Sequence, residues 1–227
     1  IIKEKQYKEL KKTSEMLCKI MDKTIGLIID NQSTGTYIRT YKSLWEVIKK
    51  EGLFASNNII FAKISGVYDK NDTVRYFEFN SEPASFLLSE EILEIYGNIQ
   101  EVSDIFREIN FSFSNKSWKS LTGFLRTCNK KIGFNKKKDM AAIISSRENY
   151  GDKLYHKYLK KNGFNVITAK PEEFTFNGKE LTCHDTKIKL IIFPQPVRNI
   201  SFFNTCMKPV IEAFIEGKVF IIDTFRS

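Results

Sequence analysis

Glu78 and Asn80 stand two residues apart in Val74-Arg75-Tyr76-Phe77-Glu78-Phe79-Asn80, a run rich in β-favouring residues. Side chains alternate along a strand. Tyr76, Glu78 and Asn80 are therefore expected on one face, with Arg75, Phe77 and Phe79 on the other. A carboxylate and an amide oxygen on one pleat are hard donors. Mg²⁺ takes hard oxygens and often needs only one or two side chains, with phosphates and water completing its shell. The same pair also reads as a polar strand face at a sheet edge, and these residues alone leave both readings open.

Other chemistry-bearing residues are fewer. Arg198 sits in a loop after a strand end, where open α/β sheets place ligand contacts; it also reads as a surface arginine. Ser145 to Gly151 forms a polar loop between a strand and a helix, and amides at a helix start can hold an anion. Glycine is too sparse there for a dinucleotide fingerprint, and a plain helix cap at Asn149 explains the loop better. His156 and His184 lack a Cys or His partner at ligand spacing and read as structural. Cys18, Cys128, Cys183 and Cys206 are scattered, which excludes a CxxC pair or zinc knuckle and suits a reducing, cytoplasmic setting. No Ser/His/Asp or Cys/His nucleophile set assembles.

These residues need elements to hold them. Apolar spacing predicts helices over 3–23 and 40–50. A strand over 59–64, a polar turn over 69–72 and a strand over 74–80 predict an antiparallel hairpin carrying Glu78. Helices follow over 85–96, 99–109 and 117–128. Strand 140–145, helix 149–162 and strand 164–168 make a βαβ unit with parallel strands. Asn177-Gly178 marks a second hairpin; a buried strand over 188–193, a helix over 204–216 and a strand over 218–222 complete the chain. The fold class is α/β: a helical and β-hairpin half, 1–135, then a Rossmann-like parallel-sheet half, 136–227.

With 227 residues the chain suits one large domain or two small ones. Its net charge of +9 comes from scattered lysines, best read as a solvated surface. The densest cluster, 130–138, has no aromatic ladder beside it, so nucleic acid is unsupported as a partner. No apolar run reaches membrane-spanning length and no signal peptide is visible. The start at Ile1 and the end just after an apolar strand suggest a piece of a longer protein.

The order of the second half ends in Ala213-Phe214-Ile215-Glu216-Gly217-Lys218-Val219-Phe220-Ile221-Ile222, and the hairpin strand ends in Glu78-Phe79-Asn80-Ser81-Glu82-Pro83. Together these resemble the circularly permuted ATP-grasp proteins, a group that includes the glutathionylspermidine synthase ligase domain. The resemblance implies a pre-ATP-grasp domain and a parent enzyme that uses ATP and Mg²⁺. That enzyme would join a small-molecule or peptide carboxylate to an amine through an acyl phosphate. It implies Glu78 and Asn80 as metal ligands, Lys63 and Arg198 as catalytic cations, and ATP-gripping lysines downstream of Ser227. One departure stands out. The family carries Arg-x-Asp on the preceding strand, and the matching place here is Lys63-Ile64-Ser65. Lysine keeps the charge without the bidentate fork, and serine is a poor metal ligand. Asp69 or Asp72 would then have to serve, or the metal is held weakly. The competing expectation is a catalytically degenerate module that binds an anionic ligand or a protein partner.

Overall fold

The computed structural model describes residues 3–30, 47–48, 62–71, 73–80, 86–110, 121, 123, 125, 133–145, 150–193 and 205–222, with the backbone alone at 30, 63, 80 and 86–90. Helix α1, Glu4–Asp30, is 27 residues long, longer than the apolar spacing alone predicts. Strands β1, Lys63–Tyr68, and β2, Val74–Asn80, form an antiparallel ribbon. The ribbon's first strand thus runs past the expected end at 64, because Val67 and Tyr68 extend the β-favouring stretch up to the Asp69 turn. Helices α2, Phe86–Gly97, and α3, Gln100–Glu108, follow close to the expected ranges. Of the helices expected over 40–50 and 117–128, only 47–48 and 121, 123 and 125 are described, and these are helical.

The second half alternates strand and helix. In order these are β3 Met140–Ile144, α4 Tyr150–Lys161, β4 Asn165–Ala169, β5 Phe174–Phe176, β6 Leu181–Cys183, β7 Thr186–Ile192, α5 Lys208–Ile215 and β8 Phe220–Ile222. Strand β3 pairs in parallel with β4 on one edge and β7 on the other, and β7 pairs in parallel with β8. Four parallel strands therefore run in the order β4-β3-β7-β8. The lower part of β7 pairs antiparallel with β6, and β6 with β5, so the sheet as a whole is mixed.

Alternation along the buried strands builds two cores. Ala141, Ile143, Leu190, Ile192 and Val166 turn to one face and pack on Leu154, Tyr155, Tyr158 and Leu159 of α4. Ala142, Ile144 and Ile191 turn to the other face, where Ile188 joins them because the register shifts between Ile188 and Leu190, and they meet Val210, Ala213 and Phe214 of α5. Each of these large side chains contributes about 1.5–3 kcal/mol by full burial. The first half joins both faces: Val47 and Ile48 enter the α5-side core, and Leu121 and Leu125 the α4-side core. The chain is a mixed α/β protein.

Two turns position the β5–β6–β7 meander. Asn177 Oδ1 accepts the amides of Lys179 and Glu180, both at 2.9 Å, and Gly178 takes φ 81°. Between β6 and β7 the chain reverses at His184 and Asp185, with φ 47° and 60°. This is a two-residue left-handed turn made without glycine, which is why β7 starts at Thr186 and not at the expected 188.

Candidate functional site

The ribbon's register decides what its polar residues can do. Lys63 pairs with Asn80, Ile64 with Phe79 and Ser65 with Glu78. Directly opposed residues share a face, so positions 63, 65, 78 and 80 occupy one face of the ribbon. Beyond that point the register shifts: Gly66 pairs with Tyr76, leaving Phe77 as an extra residue in β2. A Cβ at Gly66 would stand 3.0 Å from the Arg75 carbonyl oxygen and 3.2 Å from Tyr76, so the bulge closes on a position that only glycine fills without displacement. The bulge corrects the simple alternation read from sequence. Val74, Tyr76 and Phe79 are half-buried while Phe77 and Glu78 are exposed, so Tyr76 does not share a face with Glu78.

Glu78 is exposed, and the Ser65 hydroxyl donates to its Oε2 at 3.0 Å. Ser65 therefore binds the carboxylate directly. Asp69 does not replace it. Its Oδ1 accepts the amides of Asn71 at 2.9 Å and Thr73 at 3.0 Å, and its Oδ2 accepts Arg75 Nε at 3.2 Å. Those amides, with Arg75, hold the Asp69 carboxyl below the usual carboxylate range. It also lies four positions beyond Ser65, about 13 Å along β1. Asp72 and Arg198 lie outside the described residues. In kind, the Glu78 carboxylate oxygens suit Mg²⁺; in number they leave most of a six-oxygen shell to other ligands, phosphates and water. Among the described residues no three His, Cys, Asp or Glu side chains gather into a metal cluster.

A second locus lies on the sheet. The chain passes from β3 outward to β4 and from β7 outward to β8, so the order reverses between β3 and β7. Crevices of this kind, at the carboxyl ends of parallel strands, are where open α/β sheets bind ligands. Ser145 follows β3 there and is buried; its hydroxyl donates to the carboxylate of Asp152, buried in the first turn of α4. An anion seated on this helix start would meet that carboxylate. The cap at Asn149 lies outside the described residues.

Both histidines have structural partners. His156 Nδ1 lies 3.1 Å from Thr168 Oγ1, and burial, then Lys160, push its pKa down. His184 Nε2 lies 3.2 Å from Glu173 Oε1.

Sequence reasoning missed Glu91. Its carboxylate is 9% exposed and receives three donors from α4: Tyr150 Oη at 3.2 Å, Lys157 Nζ at 3.1 Å and Tyr158 Oη at 3.1 Å. Residues 157 and 158 are adjacent and lie about two helical turns beyond 150, a spacing that marks a shared ligand only once α2 is known to lie against it. Burial raises the Glu91 pKa, but the bonds from Lys157, Tyr158 and Tyr150 outweigh it and hold it below the ordinary value. A carboxyl depressed in the folded state stabilises above its unfolded pKa, and the contribution fades as pH falls through the folded one. The cluster is therefore intact at neutral pH. Carboxyl ¹³C NMR titration should find Glu91 ionising below the usual glutamate midpoint of about 4.3. A midpoint above it would mean that desolvation dominates.

Among the described residues no helix is long and apolar enough to cross a membrane. No protein-family model matches the chain, and no curated protein matches it.

Proposed function

We propose that the chain is the Rossmann-like, pre-ATP-grasp portion of an ATP-dependent carboxylate–amine ligase. The observation that carries this reading is the ribbon register, which sets positions 63, 65, 78 and 80 on one face with Glu78 exposed. The order β-α-β, hairpin, β, α, β and the strand reversal between β3 and β7 support it. In the reaction, a substrate carboxylate oxygen attacks the γ-phosphorus of ATP and ADP leaves. An amine then displaces phosphate from the acyl phosphate. Mg²⁺ would neutralise the phosphate charge, held by Glu78 and Asn80. Lys63, and Arg198 if its loop reaches the same site, would add positive charge.

The binding-module reading has one observation in its favour. Ser65 stands where a second metal carboxylate would be and donates a hydrogen bond to Glu78, so the ribbon presents one carboxylate there and not two. Hydroxylamine trapping separates the readings. The protein carrying this chain is incubated with Mg²⁺-ATP, hydroxylamine and short peptides, glutathione among them. A ligase releases ADP and forms a hydroxamate from the acyl phosphate. Folded protein that binds an anionic peptide yet releases no ADP and forms no hydroxamate would establish the binding module instead.

A further inference from the structure

We propose that α2 and α3 form a strap that opens from α4 as one piece, held shut by the Glu91 carboxylate of α2 docked on α4. The inference is independent of the ligase reading.

The two sides of this contact are built differently. Helix α4 buries Leu154, Tyr155, Tyr158 and Leu159 in the sheet core. On α2, Glu91 is buried while Ile92, Leu93, Ile95 and Tyr96 are 37–54% exposed. On α3 no residue is buried. Among the described side chains of the strap the one buried group is thus a carboxylate. Regions with few buried apolar contacts open at lower free energy than the whole fold.

Opening has a defined chemical cost. The carboxylate exchanges a lysine ammonium and two phenols for water. Hydrogen bonds to a charged group are among the stronger ones, so the clasp holds α2 against α4. Its donors all come from α4, which the sheet core fixes in place. Neighbouring charge leaves the clasp intact: Glu94, on α2 itself, acts on Lys157 in the same sense as Glu91 and keeps the ammonium protonated. Breaking the clasp frees α2 while leaving α4 seated.

Hydrogen exchange on the intact chain tests this. Wild type is compared with Glu91→Ala, and with Glu91→Gln and Lys157→Met as milder variants that keep side-chain volume. Amides of 92–108 should exchange about tenfold faster or more in Glu91→Ala, with 141–144 and 190–192 unchanged. The milder variants should show the same pattern at smaller size. If Glu91→Ala unfolds outright, the milder pair decides. Strap and sheet amides losing protection together in those variants would mean one cooperative unit and overturn the proposal. Unchanged strap exchange in all three would overturn it as well.

Discussion

Asp152→Ala should lower the free energy of unfolding by about 2–4 kcal/mol, measured as a fall in the urea midpoint at unchanged slope. Asp152 is 3% exposed, and its carboxylate accepts the hydroxyl of Ser145, itself 6% exposed. Alanine deprives a buried hydroxyl of this acceptor and leaves a gap beneath the start of α4. Asp152→Asn keeps the volume and one acceptor oxygen, so its loss should be smaller. Ser145→Ala combined with Asp152→Ala should cost less than the two single changes summed, since each single change already breaks the shared bond. A loss under about 1 kcal/mol for Asp152→Ala would mean that the site relaxes around the missing carboxylate and that this pair does not fix the β3–α4 turn.

The pair also marks where reading the sequence stops. Met140–Ile144 is legible as a buried strand because Met-Ala-Ala-Ile-Ile is apolar without interruption, and Tyr150–Lys161 as a helix because its apolar residues recur at helical spacing up to Gly163. Local pattern suffices for such elements. That Ser145 and Asp152 are buried together is not local. It depends on α4 lying against β3, and in sequence Ser145 reads as a polar loop residue and Asp152 as one polar residue of an amphipathic helix. Glu91 is a stronger case: its three donors lie 59 to 67 residues away, and nothing in an α2 sequence of leucine, isoleucine and glutamate distinguishes Glu91 from Glu94. The left-handed turn at His184 and Asp185 was hidden because neither residue is glycine. The ribbon was legible in its ends and not in its middle. Period-2 alternation holds from Glu78 to Asn80 but fails at Phe77, where the close approach at Gly66 forces an extra residue into β2.

That same stretch yields the prediction with the largest functional effect. In the protein carrying this chain, Glu78→Ala should reduce Mg²⁺-ATP-dependent ligation by about a hundredfold or more, since the charge stabilisation a bound metal offers is worth several kcal/mol. The more telling change is Ser65→Asp. Ser65 and Glu78 are directly opposed, so the substitution sets two carboxylates face to face on an exposed surface. Without metal the pair repels, and the ribbon should be slightly less stable. With metal the second carboxylate supplies the hard donor that serine lacks, and the Mg²⁺ concentration giving half-maximal turnover should fall. A merely structural role for Glu78 predicts the opposite pairing: Glu78→Ala would be tolerated, and Ser65→Asp would destabilise the ribbon with Mg²⁺ bringing no relief. Undiminished activity in Glu78→Ala, or an unchanged Mg²⁺ dependence in Ser65→Asp, would remove this face of the ribbon from the chemistry.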